Sequence, residues 1–266
     1  MIYLKKYIPY SDENKRIRLI FVGCQHYGSK QFSRNNFKKF LSEYLIDDQS
    51  YLFILGDLFD AIVSADLKRY NPEEIDKNKL INDNIQEAIE DLESYKSSIL
   101  GICIGNHEYQ YLRRYNLSLT QLVCERLNVQ NLGISFLYRL FLRRNDIDRV
   151  RSIIIYGHHG YGGGSSFSAS ISKYMKKIEQ FDADIYAFSH DHKSWHLKVP
   201  RIGINSAGKM CDKSIHLLCC GSFKENLLPD SISWEEIKGF GPILLGGKVI
   251  DIIPNRNSGV IIKCIH

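Results

Sequence analysis

Nothing in this 266-residue chain approaches the roughly 18 uninterrupted apolar residues that a membrane-spanning helix needs. Its first residues, Met1-Ile2-Tyr3-Leu4-Lys5-Lys6, lack the extended apolar core and cleavage site of a secretory leader. The seven cysteines are odd in number and show no framework spacing, which speaks against a disulfide scaffold. Cys103 sits inside an apolar run and Cys219-Cys220 are adjacent, so they read as small buried hydrophobes in a reducing compartment. A cytoplasmic location without a membrane partner is the expectation. A strong charge of one sign is also missing. A formal charge of +5 and a pI near 8.7 permit an anionic substrate without demanding nucleic acid. The short basic pairs Arg113-Arg114, Arg143-Arg144 and Lys176-Lys177 are too dispersed for a phosphate track and read as solvated surface. No linker and no internal repeat interrupts the chain.

What is present is a series of apolar runs that end abruptly in polar residues. Residues 17–23 end in Cys24-Gln25-His26, residues 51–55 in Gly56-Asp57-Leu58-Phe59-Asp60, and residues 99–104 in Gly105-Asn106-His107-Glu108. Ile153-Ile154-Ile155-Tyr156 leads to Gly157-His158-His159-Gly160, and residues 184–188 lead to Ser189-His190-Asp191-His192. Each run reads as a buried strand delivering ligands at its carboxyl end, as open α/β sheets do. Helical spacing marks the intervals: Phe37, Phe40, Leu41, Tyr44 and Leu45 with Ser33 as N-cap, residues 79–96, Leu117–Val129, and a helix carrying Ile171, Met175, Ile178 and Phe181. Asn71-Pro72-Glu73-Glu74 reads as a further helix start. Residues 134–142 look extended, and from about 200 the pattern turns to short β-like runs, with a helical turn at residues 234–237. The alternation predicts one layered α/β domain over residues 1–266.

A single histidine after a strand is most often a capped loop residue. Here six of nine histidines fall in the five clusters, and a chance scatter would not place them so. Carboxylate, imidazole and amide oxygen converging on one edge suit divalent Mn, Fe or Zn rather than Ca. The glycines at 162–164 followed by Ser165-Ser166 are not a phosphate cradle, because no Gly-Lys-Ser/Thr follows. They read as a lip beside the site. Neither serine has the setting of a nucleophile elbow.

The order Cys24-Gln25-His26, Gly56-Asp57-Leu58-Phe59-Asp60, Gly105-Asn106-His107-Glu108, His159-Gly160, Ser189-His190-Asp191-His192 resembles the motif series of the calcineurin-like metallophosphoesterase superfamily. The likeness runs from about residue 17 to 192. Gly221-Ser222-Phe223 and Gly241-Pro242-Ile243 look like the end of its small single-domain phage and prokaryotic members. The resemblance implies a four-layer αββα sandwich whose second sheet residues 200–266 complete. It also implies a centre of two divalent metals (Mn, Fe or Zn), with a water on the metals attacking a phosphate ester. By matching position Asp57 bridges the metals, Asn106, His159 and His190 complete one site, and Cys24, His26 and His192 serve the other. His107 is the non-ligand acid at the leaving oxygen, and Asp60 orients a neighbour. His159 is preferred to His158 because the ligand stands directly before glycine.

Cys24 departs from the family, which carries aspartate there. Three readings stay open: a thiolate ligand favouring Zn or Fe, a non-ligand that leaves one site weak, or a degenerate site on a binding scaffold like the metal-poor retromer subunit of the superfamily. Asp60 is followed by Ala61-Ile62 and not Arg-Gly, which disfavours serine/threonine protein phosphatases. The chain is too short for a repair exonuclease with its DNA-capping domain. A phosphodiesterase or nuclease acting on a nucleotide or nucleic acid is the first expectation.

Overall fold

Strands that are apolar on both faces need cover on both, and this requirement sets the architecture. The computed structural model describes residues 1–11, 16–62, 70–76, 79–145, 150–163, 166–204, 208–229, 232–255 and 259–266. The first half of the chain runs β1 (Ile2–Tyr10), β2 (Ile17–Val22), α1 (Arg34–Tyr44), β3 (Ser50–Ile54), α2 (Ile81–Glu93), β4 (Ile99–Cys103), α3 (Asn106–Tyr115) and α4 (Leu119–Leu127). It continues β5 (Asn131–Gly133), β6 (Ser135–Arg144), β7 (Val150–His158), α5 (Phe167–Met175) and β8 (Ile185–Phe188). Then come β9 (Ser194–Ile204), β10 (Met210–Cys220), α6 (Trp234–Ile237), β11 (Lys248–Asn255) and β12 (Gly259–Cys264).

Two six-stranded sheets form, in the orders β1-β6-β7-β8-β10-β9 and β12-β11-β2-β3-β4-β5. Three apolar layers hold them. Phe21, Phe53, Leu55, Phe136, Leu140, Ile155 and Leu218 lie between the sheets. Phe37 and Leu41 of α1, Ala88 and Leu92 of α2, and Val123 and Leu127 of α4 cover the outer face of the second sheet. Tyr174 of α5, with Tyr156, Phe188 and Trp195, covers the outer face of the first. The result is the four-layer αββα sandwich.

β2, β3 and β4 are adjacent and parallel, as are β7 and β8. Parallel neighbours end on the same side, so the five polar clusters collect along one rim of the sandwich. β11 returns antiparallel to β2, and a buried bidentate pair fixes it there: Arg18 donates to Asp251 at 2.8 and 3.1 Å.

The sequence reading departs from this structure at several points. Asn71–Glu74 starts no helix. Asn71 Oδ1 accepts the Glu73 N–H in a local turn, and Glu74 is drawn inward to Lys224 at 2.7 Å, so the chain leaves the helical path. α5 stops at Met175, although Ile178 and Phe181 still pack against the same layer from the turns beyond it. Ser33 stands at the N-cap of α1 but makes no capping bond; its hydroxyl donates to Glu225 instead. The segment after 200 does not complete one sheet. β10 and β9 extend the first beyond β8, and β11 and β12 extend the second beyond β2. Gly164 and Ser165 of the glycine-serine loop lie outside the described residues.

Candidate metal centre

The loops after β2 and β3 run side by side: Cys24 N donates to Gly56 O at 2.9 Å, His26 N to Asp57 O at 3.0 Å and Tyr27 N to Leu58 O at 2.8 Å. To point inward from such short connections, Cys24, His26, Asp57, His190 and His192 all adopt positive φ, between 51° and 70°. This backbone region costs a non-glycine residue on the order of 1 kcal/mol or more. Only three of the eight non-glycine residues with positive φ in the described structure lie outside this set, and one of those is Ala61, next to Asp60. The strain is concentrated at the rim.

Glycine is required here by crowding. A Cβ on Gly105 would stand 2.1 Å from both N and Oδ1 of Asp57, and one on Gly56 would stand 2.8 Å from His159 Nδ1. Gly105 itself has φ −86°, so its role is close approach and not a left-handed turn. Asn106 opens α3, a helix absent from the sequence reading. Its first turn directs the His107 N–H at Asp57 Oδ1, 3.0 Å away, which is the favourable placement of an anion at a helix N-terminus.

All nine residues singled out from the sequence are brought together. Asp57, 1% exposed, has His159 Nε2 at 3.2 Å and His107 Nε2 at 4.0 Å from Oδ2. His159 Nε2 also lies 2.9 Å from Asn106 Oδ1, and His190 offers a nitrogen to the same cluster within 4.8 Å. A second cluster joins Cys24, His26 and His192, with the two Nε2 atoms 3.2 Å apart. Asp60 accepts from His26 Nδ1 at 3.2 Å, and its backbone oxygen lies 2.6 Å from His107 Nδ1. His158 turns away: its Nδ1 accepts from Gly160 N at 2.8 Å, and its ring meets Tyr161 edge-on.

Hydrogen bonding sets the tautomers and tests the fit to a cation. His159 Nδ1 faces the Leu55 carbonyl at 2.7 Å, so Nδ1 is the donor. Its Nε2 lone pair then meets Asp57 Oδ2 and Asn106 Oδ1. Three acceptors facing one another need a positive charge among them, either a proton or a metal ion. In the second cluster, Nδ1 of His26 faces Asp60, and Nδ1 of His192 lies 3.5 Å from Glu235. Burial lowers the pKa of both imidazoles, and His26 lowers His192 further, so both rings are neutral. Two neutral imidazoles with facing Nε2 lone pairs are the donor chemistry of a divalent transition metal. The donor sets fit.

Cys24 is the odd member. It is fully buried, its Sγ lies 3.0 Å from Ser189 Oγ, and it accepts the His190 N–H at 3.3 Å. Burial, and then the Asp57 charge, push its thiol far above the ordinary range. Asp57 behaves in the opposite sense: despite its burial, His159 and His107 hold it well below the usual carboxylate range. Burial opposes charge on His107 too, but Asp57 and Asp60 override it and raise the imidazole to about 9.

Three participants, Glu108, Lys224 and Glu235, received no role from the sequence. Glu108, 1% exposed, accepts the N–H groups of Asp57 (3.2 Å), Phe59 (2.9 Å) and Gly105 (2.9 Å), tying two loops to α3. Lys224, also buried, bonds Glu74 at 2.7 Å and Glu235 at 3.2 Å, and Glu235 in turn faces His192. Its partners lie 150 and 11 residues away, and no local pattern announces them. Glu108 did carry a signal, as the last residue of the Gly-Asn-His-Glu motif.

A sandwich of two sheets with clustered metal ligands at one rim is the frame of a metal-dependent hydrolase. The family model described as calcineurin-like phosphoesterase matches residues 17–194, more than half of the chain, and the chain belongs to that family. The family is one of phosphoesterases that usually use divalent metal ions, and the clusters above are this chain's candidate metal-binding groups. No curated protein matches the chain. Similar solved structures include GAP50, "the anchor in the inner membrane complex of Plasmodium", at 12% identity over 94% of this chain and 84% of that one, with a TM-score of 0.48. Vps29 of Chaetomium thermophilum is 11% identical over 94% of this chain and 95% of that one, with a TM-score of 0.41. A metallophosphoesterase from Sphaerobacter thermophilus is 12% identical over 94% and 88%, with a TM-score of 0.39. The family model carries the assignment.

Removing the Glu108 acceptor strands three backbone N–H groups in a dry rim. Glu108→Ala is expected to lower the unfolding free energy by about 3 kcal/mol, read from urea melts. A loss below about 1 kcal/mol would show that those groups find other acceptors.

Proposed function

We propose that this chain is a phosphodiesterase with a two-metal centre. Asp57, Asn106, His159 and His190 would hold one cation. His26 and His192, sharing Asp57, would hold the other. The observation that carries this reading is the pair of ligand clusters, one built on the buried Asp57 carboxylate and the other on the facing Nε2 atoms of His26 and His192. Bound there, divalent cations would polarise the phosphoryl group and make a water acidic enough to attack it.

The protein's own groups divide the remaining work. His107 is tethered through Nδ1 to Asp60, which leaves Nε2 directed toward the Asp57 side of the cleft. Held by Asp60 in that position, the His107 imidazole serves as the acid for the departing oxygen. Asp60 holds both His26 and His107 in register. Glu108 fixes the backbone from which Asp57 and His107 project.

A diester is favoured over a monoester by charge. Lys224 and Lys193 are the lysines lining the cleft among the described residues, no arginine joins them, and Lys224 is already bonded to Glu74 and Glu235. Beyond the metals, such a lining suits the single charge of a diester better than the double charge of a monoester.

Cys24 favours a second reading, a weakened centre retained as a binding scaffold. A thiol reaches one bond beyond Cβ where a carboxylate oxygen reaches two, and this one is engaged with Ser189 and His190. We propose that Cys24 is not a ligand and that the His26–His192 site is the weaker of the two.

Asp57→Asn is expected to remove most bound metal, measured by elemental analysis, and to lower kcat/KM on bis(p-nitrophenyl) phosphate by roughly 10³-fold or more. Unchanged metal content, or faster turnover of p-nitrophenyl phosphate than of the diester by the native protein, would contradict the reading. Cys24→Asp is expected to tighten the second Mn equivalent at least tenfold in a calorimetric titration and to raise activity. Loss of bound metal in that variant would instead make the thiol a true ligand.

A further inference from the structure

The cleft over the candidate metal centre has a volume of about 540 Å³ and a mixed lining. Part of it is the polar cluster described above. Phe240, Pro242, Ile243 and Leu244 form an apolar wall along one segment, and Ile62 and Phe167 line the cleft as well. Phe167 and Leu244 keep 55% and 74% of their surface exposed, so this hydrocarbon is open to the cleft and not the edge of a closed core. Exposed apolar side chains beside a polar centre mark a binding surface.

This wall is built. Asn226, 3% exposed, donates Nδ2 to Gly241 O at 2.7 Å and accepts the Ile243 N–H at 3.3 Å. Gly246 N donates to Ser222 O at 3.0 Å. Residues 222–226, the turn that carries Lys224, therefore clamp the 241–246 segment from both ends. The wall is tied to the same turn that steadies Glu235 and, through it, His192.

The charge around the cleft also discriminates among ligands. Glu74, Asp191 and Glu235 line it, and Asp191 is held by Lys173 at 2.6 Å and by Ser170 at 2.6 Å. Among the described lining residues there is no arginine. Successive phosphates of a nucleic-acid strand would meet carboxylates and hydrocarbon where a phosphate track needs cations.

Resting on the phosphodiesterase reading above, we infer that the substrate is a small, singly charged phosphodiester whose planar aromatic substituent lies against the Phe167 and 240–244 wall while its phosphate faces Asp57. Aryl groups and nucleobases both belong to this class. Aromatic side chains at positions 167 and 240 suit a flat ring, and Leu244 and Ile243 supply the hydrocarbon beneath it.

The test compares two diesters that share a leaving group and a charge, phenyl p-nitrophenyl phosphate and methyl p-nitrophenyl phosphate, on the Mn-loaded protein. The phenyl compound is expected to have the higher kcat/KM by about tenfold or more, mostly through KM. The double variant Phe167→Ala, Leu244→Ser should bring the ratio close to one, while Ile46→Ser, exposed and not lining the cleft, keeps the native ratio. Diphenyl phosphate, which turns over poorly, should bind more tightly than dimethyl phosphate by the same margin in calorimetry. The inference fails, with hydrolysis intact, if the two diesters react alike, if the ratio survives the double substitution, or if a single-stranded oligonucleotide has the higher kcat/KM. Hydrolysis of neither diester overturns the phosphodiesterase reading itself, and the inference with it.

Discussion

Asp57 is a carboxylate with 1% of its surface exposed, and burying such a charge costs several kcal/mol unless its surroundings compensate. The compensation here comes from two separate parts of the chain. The first turn of α3 supplies the His107 N–H at 3.0 Å and the His107 imidazole at 4.0 Å, and the residue after β7 supplies the His159 imidazole at 3.2 Å. The Asp57 charge also acts on Cys24, His26, His190 and His192, so that carboxylate reaches both ligand clusters electrostatically. Glu108 then organises the backbone around it by collecting three N–H groups. A second buried carboxylate so close is unfavourable: burial and then Asp57 raise Glu108 to about 7. The strained φ values of the site residues add to that cost. A rim built against its own stability in this way is the kind of strain that accumulates at functional sites.

The legible part of the sequence was the part governed by short-range pattern. Apolar runs of four to six residues ending in glycine and polar residues located β2, β3, β4, β7 and β8, and with them all nine candidate residues. Helical spacing located α1, α2, α4 and α5. Errors arose where a distant partner decided the outcome. Asn71–Glu74 carries every local mark of a helix start, yet Lys224, 150 residues beyond Glu74, captures that carboxylate in the interior. β1 went unread because Lys6 falls on the inward side of its Ile2, Leu4, Ile8 and Tyr10 alternation. The structure accommodates that lysine over the Tyr51 ring at 4.8 Å.

The C-terminal region shows the same limit in functional terms. Its sequence offers no metal-binding motif, and it reads only as strands that finish a sheet. In the fold it supplies the Lys224–Glu235 pair behind His192 and, through the Asn226 clamp, an apolar segment lining the cleft over the candidate metal centre. The C-terminal segment thus shapes the cleft that the motif residues open onto. Cys24 occupies a motif position, but its bonds are directed to Ser189 and His190, at the start of the last motif.

The central claim is that Asp57 is shared by two cation sites of unequal strength, and location of bound Mn by anomalous diffraction tests it most directly. Crystals grown with saturating Mn should give two anomalous peaks flanking the Asp57 carboxylate, the fuller one among Asn106, His159 and His190 and the weaker one between His26 and His192. A lone peak away from Asp57, or no peak at saturating Mn, would contradict the account.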